Sequence, residues 1–241
     1  MASKSIPILT YHSLDESRSV VSTPPSIFKM QMQRLQAAGY RTLSLQDVAR
    51  LIRSGDSFPD KSFVITFDDG YKSTFTEAFP VLERYGYTCT VFLVGGYCGK
   101  LNDWPGQPST IPRLPLLTWS QVKEMHSYGI RLGAHTMTHP DLTRVAVEQA
   151  EKEIVQSRVV IEERLGAAVA AFAYPYGSQN SSINEIVKPH FQLACSTRLK
   201  KVTLQSNPYQ LERVDMFYLT SPRVFGLLPT PLFDGYLSAR R

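Results

Sequence analysis

Phe63-Val64-Ile65-Thr66-Phe67-Asp68-Asp69-Gly70 runs five β-branched or aromatic residues into two adjacent carboxylates and a glycine. The first five, β-branched or aromatic throughout, predict a strand. The last three predict an abrupt stop. The same grammar recurs outward from this stretch. Ile6-Pro7-Ile8-Leu9-Thr10-Tyr11 runs into His12, residues 130–134 into His135, and residues 169–173 into Tyr174-Pro175-Tyr176-Gly177. Further strands are expected at 88–94 and 191–195.

Helix-period segments lie between these strands. One starts near residue 26, with Phe28, Met32 and Leu35 on one face and Gly39 as its stop. Ser44 with Asp47, and Thr118 with Gln121, read as the caps of two more, ending near Gly55 and Gly129. Residues 74–85 look helical despite Pro80, residues 143–165 carry Val147, Ala150, Ile154, Ile161 and Leu165 on one stripe, and residues 182–188 follow. Such alternation implies a parallel α/β architecture. Polar residues gathered after successive strands converge in a barrel mouth, so a barrel is favoured over an open sheet. Residues 95–116, which include Trp104, read as a long loop overhanging one rim.

Length and composition set the outer bounds. With 241 residues, 43% hydrophobic and 20% charged, the chain fits one domain spanning 1–241. No apolar run approaches the roughly 18 residues of a membrane span. Residues 1–7 hold one lysine and no apolar stretch, so they do not read as a secretory signal, and a cytoplasmic location is expected. Three cysteines without a Cys-x-x-Cys pair argue against a disulfide framework or a thiolate zinc site. The net charge of +5 fits an anionic partner, such as a nucleotide-linked sugar, an acidic glycan or a lipid headgroup, and equally a plain solvated surface. No block of Lys and Arg points to nucleic acid.

Three motifs carry chemistry. Asp68 and Asp69 at a strand end can face one cavity, where a cation would relieve their repulsion, although Asp-Asp-Gly alone also reads as a turn. His135-Thr136-Met137-Thr138-His139 puts two of the five histidines at i and i+4, one face of a helix and a spacing that suits a single metal. A surface pair on a loop is the alternative. Two histidines and a carboxylate leave coordination positions open, as catalytic metal sites do. Tyr174-Pro175-Tyr176-Gly177 makes a sharp turn whose N–H groups could hold an oxyanion, or is simply a turn.

Together these motifs resemble the polysaccharide deacetylases, the NodB-homology group of carbohydrate esterase family 4, over roughly residues 7–213. Leu9-Thr10-Tyr11-His12-Ser13 and Leu117-Thr118-Trp119 look like the exopolysaccharide subgroup that contains poly-N-acetylglucosamine deacetylases. The resemblance implies a distorted (β/α) barrel of about seven strands, and a hydrolase that removes N-acetyl groups from hexosamine residues of a glycan or glycan precursor. It implies that Asp69, His135 and His139 bind a divalent metal, Zn²⁺ first, with Co²⁺, Ni²⁺ or Mn²⁺ as alternatives. Asp68 would be the base and the Tyr176 N–H an oxyanion donor. The substrate would be a free, lipid-linked or nucleotide-linked N-acetylated sugar.

The chain departs from that pattern twice. Ala173 stands where the family's third motif begins with Arg, and Arg213 is the candidate replacement beside Asp68, unless it is an ordinary strand-end arginine. No Leu-x-His supplies a general acid, and residues 227–231 hold no histidine. His12, alone of the remaining histidines at a strand's carboxyl end, is proposed as acid or substrate ligand, or as a partner of Asp68. Tyr71, Trp104, Tyr174, Pro175 and the Tyr176 ring are candidate sugar-binding groups. An O-acetyl esterase and a non-catalytic glycan-binding protein on the same fold remain the competing readings.

Overall fold

The computed structural model describes residues 3–230 and 232–240. Met1 and Ala2 of the amino-terminal stretch, and Pro231 at the end of the histidine-free segment, lie outside the described residues.

Seven parallel strands close into a ring. In chain order they are β1 Ile8–Tyr11, β2 Ser62–Phe67, β3 Thr90–Leu93, β4 Arg131–Ala134, β5 Ala171–Ala173, β6 Leu193–Leu199 and β7 Leu211–Asp215. Each pairs with the next, and β7 returns to β1 through Val214 opposite Leu9, while β1 meets β2 through Leu9 opposite Ile65. A parallel strand needs a crossover before the next. Helices α1 Pro25–Ala37, α2 Leu45–Ser54, α3 Phe79–Tyr85, α4 Trp119–Ser127, α5 Val147–Leu165 and α6 Ser181–Val187 supply the crossovers as far as β6, and residues 200–210 join β6 to β7 without a helix. Short helices α7 Pro222–Phe225 and α8 Leu232–Ser238 follow the last strand.

Strand alternation sorts side chains into two cores. Leu9, Ile65, Val91, Phe172 and Val214 face outward against the helices. Ile8, Val64, Phe92, Ala171, Leu193 and Leu211 form the interior cluster, which Leu45, Val48 and Leu51 of α2 join. Higher in the barrel the interior turns polar, as Thr10 and Thr66 share a hydrogen bond of 3.1 Å and Arg213 lies beside Thr66.

Both predicted capping boxes form, Ser44 with Asp47 and Thr118 with Gln121. Pro80 does not break its helix, because residues Thr74–Ala78 wind as a π-helix and α3 begins at Phe79, leaving the proline in the first turn, where it has no N–H to lose. Helix α5 starts four residues later than expected. Asp141 instead accepts from the Thr143 N–H and hydroxyl, holding 141–143 in a turn, and Val147 is exposed rather than packed.

Candidate active site

The carboxyl ends of β1, β2, β4, β5 and β7 bring the motif residues to one rim. Strand β2 ends at Phe67, and Asp69 and Gly70 both adopt left-handed backbone, φ 68° and 72°. That turn puts neighbouring carboxylates, 3% and 5% exposed, into one cavity instead of on opposite faces. Four of the six described non-glycine residues with positive φ belong to the motifs: Asp69, Thr136, His139 and Tyr176. Such strain, which is most costly for a β-branched residue like Thr136, persists only where the surroundings enforce it.

The histidine pair does not sit on a helix. It follows β4 in a loop, and the strained residues at 136 and 139, not the i, i+4 spacing, bring the rings together. The ring centroids lie 4.8 Å apart. The loop is built by hydrogen bonds. The Thr136 hydroxyl accepts from the His139 N–H at 3.0 Å, and buried Glu153 of α5 accepts from the Met137 and Thr138 N–H groups at 2.8 and 2.9 Å and from the Thr138 hydroxyl at 2.7 Å. Gly96 is pressed against the same loop, where an added Cβ would meet the Met137 carbonyl oxygen at 2.6 Å.

Asp69, His135 and His139 offer ligand atoms all within 4.8 Å of one another. Asp69 Oδ1 lies 3.4 Å from His135 Nε2 and 3.3 Å from His139 Nε2. The Ala173 carbonyl, 2.7 Å from His135 Nδ1, assigns the proton to that nitrogen and leaves Nε2 with its lone pair outward. Burial pushes the Asp69 carboxyl up, but the two imidazoles beside it, whenever their Nε2 atoms are protonated, outweigh that and hold it well below the usual carboxylate range. The donor set suits a divalent metal: one carboxylate, one imidazole with a fixed tautomer, and a second imidazole alongside. Among the described residues His139 has no hydrogen-bond partner at Nδ1; it is held between Trp104, with ring centroids 4.5 Å apart, and Tyr176 at 4.7 Å.

Asp68 is gripped by Arg213. Two bonds of 2.7 Å join Nη1 to Oδ1 and Nη2 to Oδ2, with the guanidinium 2% exposed. Arg213 Nε donates to the Ser196 carbonyl at 2.9 Å, so the fork is fixed before it meets the carboxylate. Burial raises the Asp68 pKa, and the Arg213 charge and hydrogen bonds more than reverse it. His12 Nε2 stands 3.9 Å from Asp68 Oδ2, beyond a direct hydrogen bond, with its side chain 22% exposed. The Tyr176 N–H has no acceptor among the described residues.

The sugar-binding assignments need correction. Tyr174 is 1% exposed and its hydroxyl donates to Asn184 at 2.8 Å, so it is a core residue; Pro175 beside it is buried too. Tyr71 is also buried, its hydroxyl accepting from Asn102 at 3.0 Å and interacting with Asp69, so it backs that carboxylate and presents no open ring to a sugar. Trp104 is 2% exposed, with its ring against His139 rather than open to a sugar. The Tyr176 side chain, 49% exposed, is the motif aromatic that presents surface.

Two residues escaped the sequence reading. Glu153 falls on the buried stripe of α5 between Ala150 and Ile154, and a carboxylate on an apolar stripe was the signal to follow. Asp215, the last residue of β7, interacts electrostatically with His12, Arg213 and Asp68, and burial raises its pKa. It stands two residues beyond Arg213, the inward-facing spacing of a strand.

A family model described as polysaccharide deacetylase matches residues 55–190. The chain is 28% identical over 222 residues to the putative polysaccharide deacetylase YxkH of Bacillus subtilis, covering 92% of this chain and 75% of that protein. It is 28% identical over 197 residues to the poly-beta-1,6-N-acetyl-D-glucosamine N-deacetylase of Staphylococcus epidermidis, covering 78% of this chain and 65% of that one. The solved structure of Streptococcus pyogenes deacetylase PplD in complex with acetate superposes with a TM-score of 0.77 at 25% identity, covering 88% and 92% of the two chains.

Proposed function

The chain belongs to the polysaccharide deacetylase family, and from that premise we propose that it is a metal-dependent hydrolase that removes N-acetyl groups from hexosamine residues of a glycan or glycan precursor. One observation carries the reading: a carboxylate clamped by a buried arginine stands directly beside the Asp69, His135 and His139 cluster. A structural ion pair alone would not require a metal-ligand set at its elbow.

Asp69, His135 and His139 would hold a divalent ion, Zn²⁺ in our reading, whose Lewis acidity polarises the acetyl carbonyl and acidifies water toward a pKa of about 7. Asp68, kept ionised by Arg213, takes the proton of the attacking water as its oxygen bonds to the carbonyl carbon. Both oxygens of Asp68 are occupied by Arg213, so the carboxylate cannot rotate away from the reacting water. The unpaired Tyr176 N–H faces the charge that develops on the carbonyl oxygen. His12 then donates a proton to the departing nitrogen as the C–N bond breaks, giving acetate and a free amine. Asp215, at the end of β7, interacts electrostatically with His12 and stands beside it at the site.

Acetate release by the zinc-loaded protein tests this, with β-1,6-linked N-acetylglucosamine oligomers, chitooligosaccharides and an O-acetylated sugar as parallel substrates. Acetate from either N-acetylated oligomer is the expected result. Acetate from the ester alone makes it an O-acetyl esterase, and no acetate from any substrate leaves a glycan-binding protein.

A further inference from the structure

A second cavity, of about 420 Å³, shares its walls with the rim just described. Thr197 and Arg198 of β6, Lys200 beyond it, Asp215 of β7, Tyr218 and Arg240 line it. Three contacts join the two sites. The Lys200 N–H donates to the Arg213 carbonyl at 3.3 Å, the Thr197 hydroxyl donates to the Tyr176 carbonyl at 3.4 Å, and Asp215 interacts with His12. Gly177 keeps the junction tight, since an added Cβ there would meet Thr197 Oγ1 at 2.0 Å.

The lining is cationic. Arg198, Lys200 and Arg240 contribute three positive charges against the single carboxylate of Asp215, whose Oδ1 accepts from the Phe217 N–H at 2.9 Å. Among the described residues none of the three cations forms an ion pair with a carboxylate, whereas neighbouring Lys201 reaches Asp234 at 3.2 Å. The Arg240 guanidinium rests 5.7 Å from the centre of the Tyr218 ring, which fixes its approach and leaves its donors for another partner. Two guanidinium groups and one ammonium around a single carboxylate suit phosphate or carboxylate oxygens. The volume exceeds that of a bare ion and falls in the range of about 300–1,000 Å³ that small-molecule sites occupy.

We infer that this cavity is a subsite for an oxyanion-bearing residue of the substrate, a sugar carrying a phosphate ester or a uronate carboxylate, adjoining the N-acetylated hexosamine under attack; the inference rests on the deacetylase reading. It makes the enzyme selective for acidic glycans, or for precursors whose acetamido sugar neighbours a phosphate.

Three oligosaccharides matched in length test it: a neutral N-acetylglucosamine oligomer, the same oligomer with a terminal 6-phosphate, and one ending in glucuronate. Each is assayed for acetate release by the zinc-loaded full chain and by the triple variant R198Q/K200Q/R240Q. We expect the KM of at least one acidic substrate to lie about tenfold or more below that of the neutral one, the scale of one charge-assisted hydrogen bond. The triple variant should bring that ratio to about one, and 0.5 M salt should shrink it in the parent. The phosphate and glucuronate arms identify the source of the charge. Equal KM for all three substrates, or an acidic preference that survives in the triple variant, overturns the proposal. If no substrate releases acetate, the deacetylase reading has failed. Calorimetric titration of the three oligosaccharides into both proteins then decides the subsite alone by the same ratio of affinities.

Discussion

Replacing Arg213 with methionine keeps roughly the shape of the stem and removes the fork. The structure sets the size of the effect. Two bonds of 2.7 Å vanish from a pair whose members are 2% and 3% exposed, and Asp68 is left buried without a counter-charge. Breaking a buried pair in this way costs about 3–5 kcal/mol. For a chain of this length, with about 2–4 °C lost per kcal/mol, the melting temperature should fall by about 6–20 °C. In the parent, Arg213 outweighs burial and holds Asp68 below its unfolded value, so its stabilisation is present above that value and is lost as pH falls through the folded pKa. In the variant burial prevails, the folded pKa rises, and the stability deficit shrinks as pH is lowered. The acidic limb of kcat/KM should move up with it, since the base must be ionised. Turnover at neutral pH should drop by about 10²–10⁴, the usual contribution of a positioned base. Bound zinc, measured by elemental analysis, should stay near one per chain, because Arg213 touches none of the three ligands. Adding Asp68→Asn to Arg213→Met should restore part of the lost melting temperature and none of the activity. Turnover within about twofold of the parent, with the acidic limb unmoved, would refute the argument.

Three further outcomes are expected. Glu153→Ala removes the acceptor of two backbone N–H groups and a hydroxyl in the histidine loop, so zinc affinity should fall about 10–100-fold in a competition titration while the barrel stays folded; an unchanged affinity would deny Glu153 that role. His12→Gln should abolish the alkaline limb of the kcat/KM profile and keep the acidic one, because a general acid is lost and the base is not; a profile with both limbs intact excludes the acid role. Gly177→Ala puts a Cβ at φ 71° and 2.0 Å from Thr197 Oγ1, so a loss of about 1–3 kcal/mol in urea denaturation is expected together with a raised KM, and a variant as stable as the parent would show that the junction yields.

Six of the seven barrel strands were legible because a parallel sheet buried on both faces leaves apolar runs, as Phe63 to Phe67 shows, whereas Leu211–Asp215, interrupted by Glu212 and Arg213, gave no such run. Two helices were legible through their caps, since Ser44 with Asp47 and Thr118 with Gln121 satisfy local N–H groups that only a helix start exposes. The polar residues at strand ends were legible for the same local reason. What failed was anything set by packing between distant segments. Tyr71, Trp104 and Tyr174 carry no sequence mark that separates a sugar platform from a core aromatic, and all three proved buried. The histidine spacing suggested a helix, yet a loop pinned from α5 does the work, through Glu153 some fifteen residues away. Asp215 gave no signal by itself, because its significance lies in facing His12 across the β7–β1 seam that closes the ring.

The most direct test counts metal and acetate in one preparation. Zinc-loaded protein and its Asp69→Ala and His135→Ala variants are each measured for bound zinc and for acetate released from a β-1,6-linked N-acetylglucosamine oligomer. The account predicts one zinc per parent chain with acetate released, and loss of both in each variant. Zinc retained at parental affinity by both variants, or a fully loaded parent that releases no acetate from any N-acetylated glycan, would contradict it.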